Sequence, residues 1–177
     1  MPRLGLTPDQ IMVNTWCSDR VPRYATTLPG LNVLVGETLA LVGDGTAALL
    51  DHIAGELDDC LPVEGAVAAA GGTLRIQAVQ AARVGVRALA ITDPFAGVGD
   101  PAVALALADL AGLADLGLTT VVSVADVTLA ALFADRVVVV SDARPQVAYP
   151  VLAPTPRAVV DVRPITERVT ARLAVGV

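Results

Sequence analysis

The side chains able to act as nucleophiles or general bases are few and far apart in the sequence. Cys17, Cys60 and Ser123 are candidate nucleophiles, and His52 is the single histidine. All 12 basic residues are arginines, so no lysine can form a Schiff base or contact a phosphate. Two distant cysteines and one histidine fit no zinc-ligand spacing. We therefore expect no catalytic residue and no metal site, and we expect the cysteines to be small buried side chains in a reducing compartment.

A glycine-rich turn is the part of the sequence best suited to binding an anion. Gly43, Gly45 and Thr46 lie between an apolar run, residues 38–42, and a segment with helical spacing, residues 47–56. Backbone N–H groups at a helix N-terminus attract anions, so this turn could hold one weakly. A tight strand-to-helix connection that binds nothing explains the same residues, and this second interpretation stays open.

The elements that would position this turn follow from hydrophobic periodicity. Strands are predicted over two runs within 31–42, hinged at Gly36-Glu37, and over 73–79, 86–92, 119–124 and 136–141. Helices are predicted over 47–56, 101–116 and 126–133, the second with Asp100 as its cap and Gly117 as its stop. The proline-rich stretch 143–156 is expected to be irregular, followed by a strand at 159–162 and a helix at 166–173. This alternation predicts an α/β fold with a mainly parallel sheet.

Composition excludes several classes of protein. The chain has 177 residues, of which 54% are hydrophobic and 17% charged, so it can bury a core and is not intrinsically disordered. The net charge is −6 and no stretch concentrates arginine, which argues against nucleic-acid binding. Aspartates interrupt every long apolar run, so no membrane span is predicted. The first residues lack the apolar run of a signal peptide, and we expect a cytoplasmic protein.

The order of several short motifs resembles the ATPase domain of ABC transporters. The Gly36-Glu37 turn, the strand ending at Gly43 and the helix containing Ala54-Gly55 resemble that family's phosphate-binding region. Three later segments resemble its Walker B strand with the D-loop, the strand before the switch-histidine loop, and its Ala-Asp-Arg strand: residues 86–101, 117–126 and 134–140. The resemblance covers about Tyr24 to Arg144 and implies a P-loop NTPase-like three-layer core with a mainly parallel sheet.

The resemblance also implies positions for a nucleotide site. It places the phosphate loop at Gly43, Gly45 and Thr46, the Walker B aspartate at Asp93, the Q-loop glutamine at Gln80 and the adenine-stacking aromatic at Tyr24. For Gln80, a plain loop residue is an equal alternative, and for Tyr24 or Trp16 simple packing is another.

The groups that would split ATP depart from the family's pattern. Thr46, Ala47 and Ala48 stand where the family carries Lys, Ser and Thr, and the loop is about three residues short. Pro94 occupies the place of the catalytic glutamate and Ala125 that of the switch histidine. Because phosphoryl transfer depends on positioning and charge, we expect no ATP hydrolysis.

A shortened interval implies that a whole subdomain is missing. Only 47 positions separate Thr46 from Asp93, and no segment supplies the Ser-Gly-Gly-Gln signature of the family's helical subdomain. We therefore expect one ABC-ATPase-like domain over residues 1–177. It would have a small N-terminal β portion at about 1–40, an α/β core at 38–142, and a proline-rich tail with a terminal helix at 143–177.

These expectations favour a catalytically inactive ABC-type ATPase-like protein that acts as a scaffold or regulatory subunit. Its partner would be a membrane protein, an active ABC ATPase or a second copy, because a domain with few charges and no partner-facing lobe should expose apolar surface. The alternative is a module that binds ATP or ADP weakly without hydrolysis, and an enzyme of unrelated chemistry is a third. We expect no nucleic-acid partner and no direct membrane insertion. The protein would reach the inner face of the membrane only through a partner.

Overall fold

The computed structural model describes residues 24–175, which begin with a two-stranded antiparallel hairpin. Strand β1 (Tyr24–Leu28) pairs with β2 (Leu31–Leu34) through a turn at Pro29 and Gly30. Gly30 has φ 81°, in the left-handed region that glycine adopts without strain. The hairpin corresponds to the expected small N-terminal β portion. The expectations for Trp16 and Cys17 fall outside the described residues.

A six-stranded sheet forms the centre of the molecule. Its strands are β3 (Thr38–Gly43), β4 (Cys60–Glu64), β5 (Ala88–Thr92), β6 (Thr119–Ser123), β7 (Arg136–Ser141) and β8 (Arg144–Pro150). They lie in the order β4-β5-β6-β3-β7-β8, all parallel except β8, which pairs antiparallel with β7. The α/β fold with a mainly parallel sheet is confirmed. The central strands are almost entirely apolar because both faces of the sheet are covered.

Helices cover the two faces of the sheet unequally. They are α1 (Thr46–Glu56), α2 (Gly65–Ala70), α3 (Leu74–Arg83), α4 (Asp100–Gly112), α5 (Val127–Phe133) and α6 (Val159–Ala174), with a 3-10 turn at Leu113–Leu116. Leu39 and Leu41 pack towards α1 and the hairpin, whereas Ala40 and Val42 pack towards the other helices. Within residues 24–175, none of the helices combines the length and apolar character needed to cross a membrane.

One sequence prediction in the middle of the chain is wrong. Residues 73–79 were expected to form a strand, but Leu74–Arg83 is a helix. The alternation that suggested a strand also places Leu74, Ala78 and Ala81 on one helical face, and that face is buried. The strand of this region is instead β4, which holds Pro62 and lies at the sheet edge, where a missing N–H is tolerated.

The C-terminal third also differs from expectation. Residues 144–150 form β8 rather than an irregular tail, since the two-residue turn at Asp142 and Ala143 folds the chain back onto β7. Residues 159–162 are the first turn of α6, not a strand. The Asp161 carboxylate there accepts a 2.8 Å hydrogen bond from the Ala158 N–H, which favours a helix start.

The ends of helices α4 and α5 can be compared with the caps that the sequence predicts. Helix α4 is capped by Gly99 rather than Asp100, which is already helical. Helix α5 begins at Val127, one residue after the predicted start, and Asp126 caps it by accepting a 2.9 Å bond from the Leu129 N–H. Gly117 ends the 3-10 turn after α4 with φ 73°, as the sequence predicts.

Candidate functional site

The β3–α1 turn holds the predicted Gly43, Gly45 and Thr46. Gly43 has φ 116° and Gly45 has φ 75°, conformations that L side chains rarely adopt. A Cβ on Gly43 would lie 2.2 Å from the Val140 carbonyl oxygen, and one on Gly45 would lie 2.4 Å from the Ala143 nitrogen. The turn is therefore pressed against the end of β7, and only glycine fits at either position.

Two other segments close over the same turn. Asp142 and Ala143, which join β7 to β8, have φ 51° and 57°, so they form a two-residue hairpin turn with both central residues left-handed. Leu173 in the last full turn of α6 has its Cδ2 atom 3.1 Å from where a Gly43 Cβ would lie. Protein atoms from β7, the β7–β8 turn and α6 thus border the β3–α1 turn.

The carboxylate of Asp93 is used to hold two loops together. Its Oδ1 accepts a 3.0 Å hydrogen bond from the Phe95 N–H and its Oδ2 accepts a 3.1 Å bond from the Ala125 N–H. The Asp93 N–H in turn donates to the Ser123 hydroxyl at 3.2 Å. These bonds join the loop after β5 to the loop after β6, and the next residue, Pro94, is buried.

Topology brings the glycine turn and Asp93 to one edge of the sheet. Both follow the carboxyl ends of parallel strands, with β6 between β3 and β5. The connection after β3 crosses one face through α1, and the connection after β6 crosses the other through α5. In open α/β sheets, ligands bind outside the carboxyl ends where successive connections diverge in this way. This edge is therefore the position at which the fold would place a ligand.

Tyr24 and Gln80 lie elsewhere. Tyr24 pairs with Leu34 at the end of the hairpin and lines a cavity at the amino edge of the sheet, opposite the glycine turn. Gln80 is exposed within α3, which leads to the start of β5. The strand that precedes β5 in the chain is β4, and sequence reasoning missed its last residue, Glu64, and the Gly65 that follows it. The signal was the short apolar run around Pro62.

Gly65 marks a close approach at the carboxyl end of β4. A Cβ on this residue would lie 2.0 Å from the Thr92 carbonyl oxygen. The Gly65 N–H donates to the Thr92 hydroxyl at 3.3 Å, and that hydroxyl donates to the Val63 carbonyl at 3.2 Å. The ends of β4 and β5 are thus fastened by one threonine side chain.

At the amino edge of the sheet, the Gly36-Glu37 and Asp135-Arg136 motifs contact each other through their side chains. Arg136 forms a two-point ion pair with the buried Glu37, its Nη2 atom lying 2.8 Å from Glu37 Oε2. The hydrogen bond to Glu37 is the main reason that the pKa of Arg136 is raised above its ordinary value. The Asp135 carboxylate also accepts a 2.9 Å bond from the Thr38 N–H. The Gly36-Glu37 and Asp135-Arg136 motifs therefore join β3 to β7.

The remaining reactive side chains, Cys60 and His52, lie on different elements. Cys60, expected to be buried, is half-buried at the start of β4, and that burial raises the pKa of its thiol. His52 is exposed on α1. Across residues 24–175, no three His, Cys, Asp or Glu side chains come together in a group that could hold a metal ion.

The surface of residues 24–175 includes cavities of about 240, 450 and 230 Å³. The first lies at the amino edge of the sheet beside Tyr24. The second lies between the hairpin, α1 and the β7–β8 turn, and the third lies beside β4. None of these three is lined by Gly43, Gly45, Thr46 or Asp93.

Comparison with known proteins identifies the fold. No family model and no curated protein matches the sequence. Among solved structures, CbiO1 from Clostridium perfringens, part of the ABC transporter complex CbiONQ, is 14% identical with a TM-score of 0.52, over 84% of this chain and 86% of that one. An ATP-binding subunit of an ABC transporter is 13% identical with a TM-score of 0.53, over 85% of this chain and 97% of that one. The chain thus has an ABC-ATPase-like, P-loop NTPase-like fold.

Proposed function

We propose that this protein is a catalytically inactive relative of the ABC-type ATPases and that it acts as a scaffold or regulatory subunit through protein contacts. The shared fold supports the relationship. The observation that carries the proposed inactivity is the bonding of Asp93, whose two carboxylate oxygens already accept backbone N–H groups.

The surroundings of Asp93 support this proposal. Each Asp93 oxygen accepts a backbone N–H and so holds the loops after β5 and β6 together, which gives this carboxylate a role other than positioning a metal-bound water. Pro94, the next residue, has no group that can accept a proton from water. The carboxylate therefore has a structural role that needs no nucleotide.

The glycine turn supports the same conclusion. A phosphate loop needs a cation aimed at the phosphates, and the chain contains no lysine while Thr46 opens α1. Gly43 and Gly45 are pressed against Val140 and Ala143. The turn is well explained as a close-packed strand-to-helix connection.

The interval between α1 and β5 supports the proposed absence of a helical subdomain. It contains only β4, α2 and α3, and the two helices pack on the core. Partner contacts would then use other surfaces of the molecule. One candidate is the apolar side chains exposed on α2, α3 and α4, namely Val67, Ile76 and Leu105.

The proposed partner is a membrane protein, an active ABC ATPase or a second copy of this chain. CbiO1, which shares the fold, belongs to an ABC transporter complex. We propose that this protein would likewise meet the membrane through a partner subunit, from the cytoplasmic side.

Phosphate release from Mg-ATP by the purified protein tests the inactivity. We expect no turnover above that of the Thr46→Ala and Asp93→Asn variants, which serve as controls for contaminating ATPases. Turnover that both substitutions abolish would show that the proposal is wrong. Calorimetry with ATP and ADP, with and without Mg²⁺, separates the two inactive alternatives, since nucleotide binding without turnover would identify a binding module.

Crosslinking of the full chain in its host cell tests the scaffold role. We expect a discrete crosslinked complex that is lost in a Val67→Asp, Leu105→Asp double variant and retained in Val84→Asp, which alters an exposed valine after α3. A chain that stays monomeric in solution and gives no specific crosslink would refute the role.

A further inference from the structure

A cavity at the amino edge of the sheet has the features of a small-molecule site. It has a volume of about 240 Å³ and lies between the hairpin, the end of α1 and the first residues of β5 and β6. Tyr24 and Val35 contribute side chains that are 52% and 55% exposed, and Leu57 contributes a buried one. The cavity therefore has an apolar side and an aromatic ring open to an incoming ligand.

The rim of this cavity is held in place by three hydrogen bonds from different elements. The Arg87 N–H donates to the Asp59 carbonyl at 3.0 Å, and the Thr119 N–H donates to the Arg87 carbonyl at 3.0 Å. The Gly36 N–H donates to the Thr119 hydroxyl at 3.0 Å. These bonds join the segment after α1, the starts of β5 and β6, and the β2–β3 turn. The cavity is therefore formed by the fold itself.

Two exposed side chains of opposite charge line the cavity. Asp58 follows the end of α1 and Arg87 precedes β5, and both contribute to the lining. Among residues 24–175, neither side chain forms an ion pair or a hydrogen bond. An anionic and a cationic group on one small cavity complement a ligand that carries both charges.

We propose that this cavity binds a free α-amino acid with an apolar side chain. Arg87 would bind its carboxylate, Asp58 its ammonium group, and Tyr24 and Val35 would contact its side chain. At about 240 Å³ the cavity is smaller than the ~300–1,000 Å³ typical of sites for drug-sized ligands, which suits a small molecule such as an amino acid. The site is separate from the glycine turn, and the inference does not depend on whether ATP is hydrolysed.

Calorimetry and thermal shift with L-leucine and L-phenylalanine test the proposal on the full chain. We expect saturable binding in the micromolar to millimolar range. N-acetyl-L-leucine lacks the ammonium charge and L-leucinamide lacks the carboxylate. Each should bind at least about tenfold more weakly, since each removes one charge-assisted hydrogen bond. Equal binding of either analogue, or no heat and no thermal shift with millimolar leucine and phenylalanine, would overturn the proposal.

Substitutions at the two charges provide an independent test. Asp58→Asn and Arg87→Gln should each weaken leucine binding at least about tenfold. The matched controls are Asp51→Asn and Arg83→Gln, which alter exposed charges outside this cavity and should leave binding unchanged. The assignment would be refuted if the control variants also lost leucine binding. It would equally be refuted if the two cavity variants bound leucine as tightly as the unaltered chain. The analogue series decides the question if a cavity variant fails to fold.

Discussion

Glu37 and Arg136 are 99 positions apart in the sequence and meet where β3 and β7 begin. Glu37 also accepts a 2.9 Å hydrogen bond from the Leu34 N–H, so its carboxylate joins the end of β2 to two strands of the main sheet. The glutamate side chain is 6% exposed and the arginine 24%. At this burial, loss of either partner leaves a charge with little compensation.

We predict that Glu37→Gln and Arg136→Met each lower the free energy of unfolding by about 2 kcal/mol. The double variant should lose clearly less than the sum, because each single change already breaks the same pair. Urea unfolding measures the cycle. Arg163→Met, at an exposed position on α6, is the control and should cost under about 0.5 kcal/mol. Additive losses would contradict a direct interaction.

Asp93 gives a second prediction. Asp93→Ala removes the acceptors of the Phe95 and Ala125 N–H groups, so it should lower the free energy of unfolding by about 1–3 kcal/mol. Asp93→Asn keeps one acceptor oxygen and should cost less. The control, Asp51→Ala, changes an exposed aspartate on α1. A stabilised Asp93→Ala variant in urea unfolding would instead indicate a strained functional carboxylate.

At the scale of residues, the sequence predicts where the turn glycines lie better than it predicts which hydrogen bonds and contacts the side chains make. The glycine turn at Gly43 and Gly45 follows from composition and periodicity. The contacts of Asp93 with Ser123 and Ala125 depend on β5 and β6 being neighbours, which no local pattern encodes. The approach of Ala143 to Gly45 depends likewise on the return of β8, and Asp-Ala is not a common hairpin turn sequence.

At the scale of elements, predictions succeed where one interpretation of the hydrophobic pattern is available. The strands β3, β6 and β7 are continuous apolar runs between turn residues, and they are confirmed within one or two residues. Residues 73–79 satisfy both a period of two and a helical period, so only the packing of α3 on the core decides. Strands β4 and β8 contain prolines, which are compatible with strands at a sheet edge, and edge position is not visible in the sequence.

The attachment of α6 gives a prediction at the same scale. Val169 is fully buried against the core, whereas Val160 on the same helix is 64% exposed. Val169→Ala should lower the free energy of unfolding by about 1–3 kcal/mol through the cavity it leaves, and Val160→Ala by under about 0.5 kcal/mol. Urea unfolding with both variants measures the difference. Equal effects would show that α6 is not packed on the sheet as described.

At the scale of the whole molecule, the order of the strands separates two possible ligand regions. The carboxyl edge holds the glycine turn and Asp93, while the amino edge holds Tyr24, Asp58 and Arg87. The sequence predicts the layers but not this division, because Tyr24 and the glycine turn are close in the chain and lie at opposite edges. The resemblance to ATPases directs attention to the first edge, and the two opposite charges beside Tyr24 direct it to the second.

The prolines at both margins of the sheet have a consequence for self-assembly. Pro62 lies in β4, and Pro145 and Pro150 lie in β8, so neither outermost strand offers an unbroken row of N–H donors to another chain. Copies of this protein should therefore not grow into fibres by continuing one β layer from molecule to molecule. Contacts between copies would then be made by side chains rather than by continued strand pairing of this sheet.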